Sequence, residues 1–263
     1  MSSNPAAPLP ESLRFARDGD VGILTLARAA KRNALDDATV AGIGAFFGAV
    51  PDGVRAVVLA GDGEHFSAGL DLSSVAERGT FDGVKHSMLW HRAFEAMEFG
   101  TVPVVAALHG AVVGGGLELA AAAHVRVADP SAWYALPEGQ RGIFIGGGGA
   151  VRIPRLIGAA RVMDMILTGR IYDAHEGAAI GISQYVSTAG GALAQATEIA
   201  HRMAANAPLT NFAVMHALPR IADIAPEAGY LTEALVASIA QNEPEAKARV
   251  AAFLEKRAAK LGT

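Results

Sequence analysis

Two glutamates stand twenty positions apart in the most glycine-rich stretches of this chain. Glu118 lies in Val112-Val113-Gly114-Gly115-Gly116-Leu117-Glu118-Leu119-Ala120, and Glu138 in Leu136-Pro137-Glu138-Gly139-Gln140-Arg141-Gly142. Acidic side chains seldom occupy such apolar surroundings unless they are paired or used, because an isolated buried charge is costly. A carboxylate pair in a water-poor pocket can pass protons. A glycine turn at the start of a helix presents outward N–H groups that can hold an oxyanion. Together these residue types point to acid–base chemistry on a carbonyl compound. Each has a plainer reading as well: a tight strand-to-helix turn for Gly114-Gly115-Gly116, and helix-end acids for Glu118 and Glu138.

Other constellations are weaker. Ser67, in Phe-Ser-Ala-Gly, lacks the Gly-x-Ser-x-Gly nucleophile turn and reads as structural. His175-Glu176 has no second histidine four residues on, and no Gly-Lys dipeptide supplies a phosphate loop. The run Gly146–Gly149 lacks the acidic residue of a dinucleotide fingerprint and reads as a packing element. Trp90-His91-Arg92 sets bulky and polar groups on one helix, where plain packing is the ordinary explanation.

The elements that must position these residues follow from patterning. Leu13–Arg17 and Val21–Leu26 flank Asp18-Gly19-Asp20, a hairpin signal. Asp36 and Asp37 can cap a helix running towards Ala49. Val54–Ala60 and Val102–Leu108 read as core strands, Gly115–Ala122 as a helix, and His124–Ala128 and Trp133–Ala135 as short strands. Alternating strands and helices argue an α/β core. From about Ala159 alanine-rich helices dominate, over 159–168, 191–206, 208–222, 227–241 and 243–260, with one short strand near Gln184–Ser187. Helices there with apolar residues on more than one face would need a partner surface, which oligomerisation supplies.

Bulk properties exclude several classes. The 263 residues are 51% hydrophobic and 18% charged, as in a compact globular protein. The net charge is −4 and no basic run exceeds a dipeptide such as Lys31-Arg32, which argues against nucleic acid and membrane surfaces as partners. The absence of cysteine removes disulfides, thiolate metal sites and cysteine nucleophiles, and fits a cytoplasmic setting. Residues 1–10 lack the order of a signal peptide and read as a disordered tail. The nearly uncharged window Val102–Ala123 is long enough to cross a bilayer, but Pro103, His109, Glu118 and its glycines make a buried strand and helix the better reading.

Several of these segments, in this order and spacing, resemble the enoyl-CoA hydratase (crotonase) superfamily. They are Phe66-Ser67-Ala68-Gly69-Leu70-Asp71-Leu72, Pro103–Gly110 running into Gly114–Ala120, and Pro137-Glu138 with its glycines. Arg28 with Lys31–Leu35 resembles that superfamily's early CoA-site signature, and Phe253–Arg257 its C-terminal one; the likeness spans about residues 13–258. It implies a spiral of ββα units over 11–200 that carries the site, and a helical trimerisation region over 201–263. The backbone N–H groups of Leu70 and Gly115 would form an oxyanion hole. Arg28, Lys31, Ala68 and Asp71 would line the CoA channel, with Phe253 and Lys256 approaching from the C-terminal helix. Trp90 and His91 would shape the acyl pocket, and their bulk suggests a short or unusual acyl group. Retention of both acids suggests hydration of a 2-enoyl-CoA, with Glu118 activating water and Glu138 protonating Cα. Two carboxylates that close cannot both ionise easily, so one is expected to be protonated near neutral pH. The alternatives are an acyl-CoA isomerase, an acyl-CoA hydrolase or a methylthioacryloyl-CoA hydratase. No metal and no resident cofactor are implied, since coenzyme A is part of the substrate, and the expected assembly is a homotrimer or a dimer of trimers. Leu70 departs from the alanine common at its position, and Ala248-Arg249 from the usual Glu-Gly.

Overall fold

The computed structural model describes residues 8–74 and 79–255 as a mixed α/β fold. The chain divides into two compact units, with the boundary between Ala204 and Ala205.

In the first unit β1 (Leu13–Asp18) and β2 (Val21–Leu26) form the expected antiparallel hairpin. Asp36 caps α1 (Asp37–Gly48) by accepting from the Thr39 N–H at 2.8 Å. There follow β3 (Ala56–Gly61), α2 (Thr80–Glu98), β4 (Val104–Leu108), β5 (Ala111–Val113), α3 (Gly115–Ala121), β6 (Val125–Ala128) and β7 (Trp133–Ala135). The unit closes with α4 (Gly149–Ile157), α5 (Ala159–Thr168), β8 (Tyr172–Asp173), α6 (Ala174–Ile180), β9 (Tyr185–Val186) and α7 (Ala192–Ala204). One sheet runs β1-β2-β3-β4-β6-β9, parallel except for the hairpin; a second runs β5-β7-β8.

The inner strands β2, β3 and β4 of the large sheet are buried on both faces, which is why they read as nearly unbroken apolar runs. Along β3, Val57 and Leu59 enter one core cluster, while Ala56, Val58 and Ala60 face the other. Ala192, Ala196, Ala200 and Ala204 of α7 pack on that second face with Ile199; their four-residue spacing makes one smooth helical stripe. The window Val102–Ala123 resolves into β4, β5 and α3, not one strand and one helix, because the chain leaves the large sheet at Leu108 and enters the small one at Ala111. No described helix is long and apolar enough to cross a membrane. His175-Glu176 has a structural explanation: Asp173 and Glu176 form the capping box of α6.

The second unit holds α8 (Pro208–His216), α9 (Leu218–Asp223), α10 (Pro226–Asn242) and α11 (Pro244–Leu254). Pro208, Pro226 and Pro244 each occupy a first helical position, where the missing N–H costs nothing. The single helix expected over 208–222 is two helices that meet at Ala217, because Pro219 has no N–H to continue the ladder. Tyr230, Leu231, Leu235, Ile239, Phe253 and Leu254 are all exposed on this unit.

Candidate active site

Glu118 belongs to α3, a helix whose seven residues are all buried, and is itself 3% exposed. Its Oε1 accepts hydrogen bonds from the N–H groups of Gly147 and Gly149, both at 2.8 Å. Gly149 is the first residue of α4 and Gly147 precedes its cap, so the carboxylate lies at the N-terminal end of a nine-residue helix, whose dipole favours negative charge. The glycine run 146–149, expected to be a packing element, is therefore the cradle of this acid. Burial pushes the Glu118 carboxyl above its ordinary value, against the N–H groups of Gly149 and Gly147 and the charge of Arg152.

Glu138 follows β7 and precedes a one-turn 3-10 helix, Gly139–Arg141. It is 7% exposed, and its Oε2 is buried with no hydrogen-bond partner among the described residues. Burial pushes its carboxyl up to about 7; the charge of Glu118 adds to the push, and its own N–H and Arg141 oppose it. Gly114 brings this acid towards the first: its φ is +52°, and a Cβ there would lie 2.6 Å from Glu138 Oε1.

Two main-chain N–H groups face the same place. Residues 66–71 are threaded by two isolated parallel bridges, Ser67 to Val112 and Leu35 to Leu70. In the second, Leu35 N donates to Gly69 O at 2.8 Å and Asp71 N donates to Leu35 O at 2.9 Å. A parallel bridge uses the groups that flank its central residue, so the N–H of Leu70 points to the other side. The Gly115 N–H is the first of α3 and has no intrahelical acceptor. Neither N–H has an acceptor among the described residues. A Cβ at position 115 would lie 3.3 Å from the Leu70 nitrogen, so the two donors converge.

Both acids, Leu70, Gly115 and Ala68 line one cavity of about 160 Å³. Trp90 closes it from α2, 3% exposed, with Cζ3 2.7 Å from where a Cβ of residue 115 would sit. His91 is not on this wall. The face of α2 turned to the cavity carries His86, Ser87 and Trp90, while His91 lies beside Gly148. His86 Nδ1 is 2.8 Å from Asp37 Oδ1. The wall is completed by Leu72, Arg141, Ile143 and Phe144.

The enoyl-CoA hydratase/isomerase family profile matches residues 16–262. The chain belongs to this enzyme family. It is 34% identical over 196 residues to the short-chain-enoyl-CoA hydratase of Clostridium acetobutylicum, covering 73% of this chain and 75% of the relative. It is 35% identical over 225 residues to the carnitinyl-CoA dehydratase of Salmonella arizonae, covering 84% and 85%. Among solved structures, a provisionally assigned enoyl-CoA hydratase of Rhodopseudomonas palustris superposes with a TM-score of 0.91 at 54% identity, over 94% of this chain and 95% of the other.

The remaining residues singled out in this enoyl-CoA hydratase/isomerase family member divide between loop anchoring and the surface. The guanidinium of Arg28 donates to Ala34 O at 2.6 Å and to Asp71 at 3.0 Å, and lies 3.1 Å from Asp36. Ser73 and Arg28 together hold the Asp71 carboxyl below the usual carboxylate range. Arg28 and Asp71 thus clamp the loop that presents Leu70. Lys31 is exposed, as is Phe253 in the second unit, and Lys256 lies outside the described residues. Ser67 is structural: its buried hydroxyl donates to Asn33 O at 2.8 Å and accepts from Gly69 N at 3.2 Å. Asn33, 1% exposed with φ +52°, accepts from Arg28 N and donates to Asp62 O and His65 O, pinning the start of the same loop. It could be found only inside the Lys31–Leu35 motif. His86, Ser87 and Arg141 carried no signal of their own.

Proposed function

We propose that this protein adds water across the double bond of a short 2-enoyl-CoA thioester to give a 3-hydroxyacyl-CoA. The observation that carries this reading is two buried acids in unlike hydrogen-bonding surroundings facing one cavity, together with two unpaired main-chain N–H groups. Leu70 and Gly115 donate to the thioester oxygen, each such donor being worth about 3–4 kcal/mol of barrier lowering. Glu118, whose anion the N–H cradle favours against burial, takes a proton from water as the C–O bond forms at Cβ. Electron density moves to the thioester oxygen, and protonated Glu138 then delivers its proton to Cα. The small cavity under Trp90 supports a short acyl group. The relative named a short-chain-enoyl-CoA hydratase points the same way.

Ala68, Asp71, Arg28 and Lys31 border the CoA path in this reading, with Phe253 and Lys256 contributing from the C-terminal helix. Coenzyme A enters only as part of the substrate. The exposed apolar side chains of the second unit support assembly as a trimer or a dimer of trimers. We take the setting to be cytoplasmic, in keeping with a cysteine-free chain.

Incubation with a panel of acyl-CoA thioesters, with products weighed by mass spectrometry, tests the reaction. Crotonyl-CoA is expected to gain one water. Release of free coenzyme A, or a shifted double bond without added water, would replace hydration with the hydrolase or isomerase alternative. The carnitinyl-CoA dehydratase relative favours including the reverse direction, water loss from a 3-hydroxyacyl-CoA with a polar acyl chain.

A further inference from the structure

Arg152 lies in the first turn of α4 and is 8% exposed. A cation there opposes the helix dipole, so local helix energetics do not explain it. Its contacts do. Nε donates to Glu98 Oε2 at 2.6 Å, and Nη1 donates to Gly147 O at 3.3 Å. Gly147 is therefore gripped on both sides, its C=O by the guanidinium and its N–H by Glu118 at 2.8 Å. A Cβ at position 148 would fall on that guanidinium, and Gly148 has φ +95°, so the turn leaves a notch that Arg152 fills. Glu98 ends α2 and is itself fixed: its C=O lies 3.0 Å from His124 Nε2. His124 Nδ1 accepts from Val104 N at 3.0 Å, so the ring proton is on Nε2 and donates to Glu98.

We propose that Arg152, clamped by Glu98, is a positioning residue for Glu118: it holds the C=O of the Gly147–Gly148 peptide, the unit between the two peptides whose N–H groups, from Gly147 and Gly149, reach the carboxylate. This deepens the hydratase reading and rests on Glu118 as the group that activates water. The charge of Arg152 also favours the Glu118 anion against the burial that disfavours it. The other charged or titratable groups around that acid are Glu138 across the cavity, Glu98 behind Arg152, His91 beside Gly148, and His86 and Arg141 on the cavity wall.

The test compares Arg152→Gln, Arg152→Lys and Glu98→Gln with the native enzyme in hydration of crotonyl-CoA. Arg152→Gln is expected to lower kcat by up to about a hundredfold, with KM and calorimetric binding of butyryl-CoA little changed. The acid limb of its kcat/KM profile should move to higher pH by about one pH unit, the sign expected when a cation is removed beside a carboxylate. Arg152→Lys keeps the charge and should recover most of that limb but not all of kcat, while Glu98→Gln should move both modestly in the same direction. In a Glu118→Gln background, Arg152→Gln should add little. An unmoved acid limb in all three variants, or full additivity with Glu118→Gln, overturns the proposal and leaves Arg152 as a plain strut between helices. A readout independent of turnover separates this from failure of the hydratase reading. Carbon-13 NMR titration of the Glu118 carboxyl should show a higher midpoint in Arg152→Gln whatever reaction the native enzyme performs, and an unchanged midpoint rejects Arg152 alone.

Discussion

Glu118 and Glu138 are buried to nearly the same degree, yet their surroundings differ in kind. The segment 146–152 gives Glu118 two N–H donors, a helix N-terminus and the Arg152 charge. The segment 137–141 gives Glu138 an oxygen with no described partner, and only Arg141 as a favourable side-chain charge. Burial raises both carboxyls, but around Glu118 it is opposed by neighbouring N–H groups and Arg152, and around Glu138 only by its own N–H and Arg141. In the proposed reaction this contrast assigns Glu118 as proton acceptor and Glu138 as proton donor, a division of labour set by surroundings and not by residue type.

The strongest way to break this comparison is to neutralise each acid in turn. Glu118→Gln and Glu138→Gln are each expected to cut the turnover of crotonyl-CoA by about 10²–10⁴-fold while CoA-ester binding survives. Retained turnover in both would remove the acid–base assignment. In the native enzyme, hydration should need ionised Glu118 and protonated Glu138. Activity should thus fall on the alkaline side near about 7 and on the acid side as Glu118 is protonated, and stopped-flow kcat/KM across pH reads both limbs.

Stability sharpens the same contrast. Glu138 keeps its proton in the folded protein up to about 7, against an ordinary 4.5. Between those values the folded state binds more protons than the unfolded one, so its contribution to stability falls as pH rises through that window. Glu138→Gln removes this titration, and near about pH 8 it should exceed the native chain by up to about 3 kcal/mol, with no advantage below the ordinary carboxylate range. Urea unfolding at several pH values measures the difference, and a constant gap would count against a raised Glu138.

Smaller effects follow from geometry. Gly149→Ala would set a Cβ 2.6 Å from Glu118 Cγ, and displacing that acid should lower kcat by about ten- to a hundredfold in steady-state assays. Gly114→Ala, the matching change on the Glu138 side, adds backbone strain and should also lower the melting temperature. Trp90→Phe is the mildest. Its indole nitrogen has no hydrogen-bond partner among the described residues, so thermal denaturation should change by no more than about 1 kcal/mol, while longer enoyl-CoA esters gain access.

Much of this was legible from residues alone. The hairpin, the α1 cap, α5 and β7 follow from local turn, cap and periodicity signals, and the motif order identified the family that the profile match establishes. What escaped depends on long-range geometry. The role of Gly147 and Gly149 rests on a contact some thirty residues away, which no local pattern encodes. His86 replaced His91 on the cavity wall because the angular setting of α2 is fixed by packing on α1 and the glycine loops, and one residue of rotation decides which side chain faces in. Pro219 marks a punctuation point in the sequence, but a proline near a helix start can also sit inside one continuous helix, so the α8–α9 break at Ala217 shows only in the structure.

The parallel bridge at Leu70 has a further consequence. What polarises the substrate in the proposed reaction is an amide of the polypeptide itself, oriented by Leu35 and shared with the head of α3. No genetic change at position 70 short of proline deletes it, so variation can rewrite the acids, and with them the chemistry, on a carbonyl clamp that stays in place. Replacing that single amide by an ester through semisynthesis would be the direct way to weigh it.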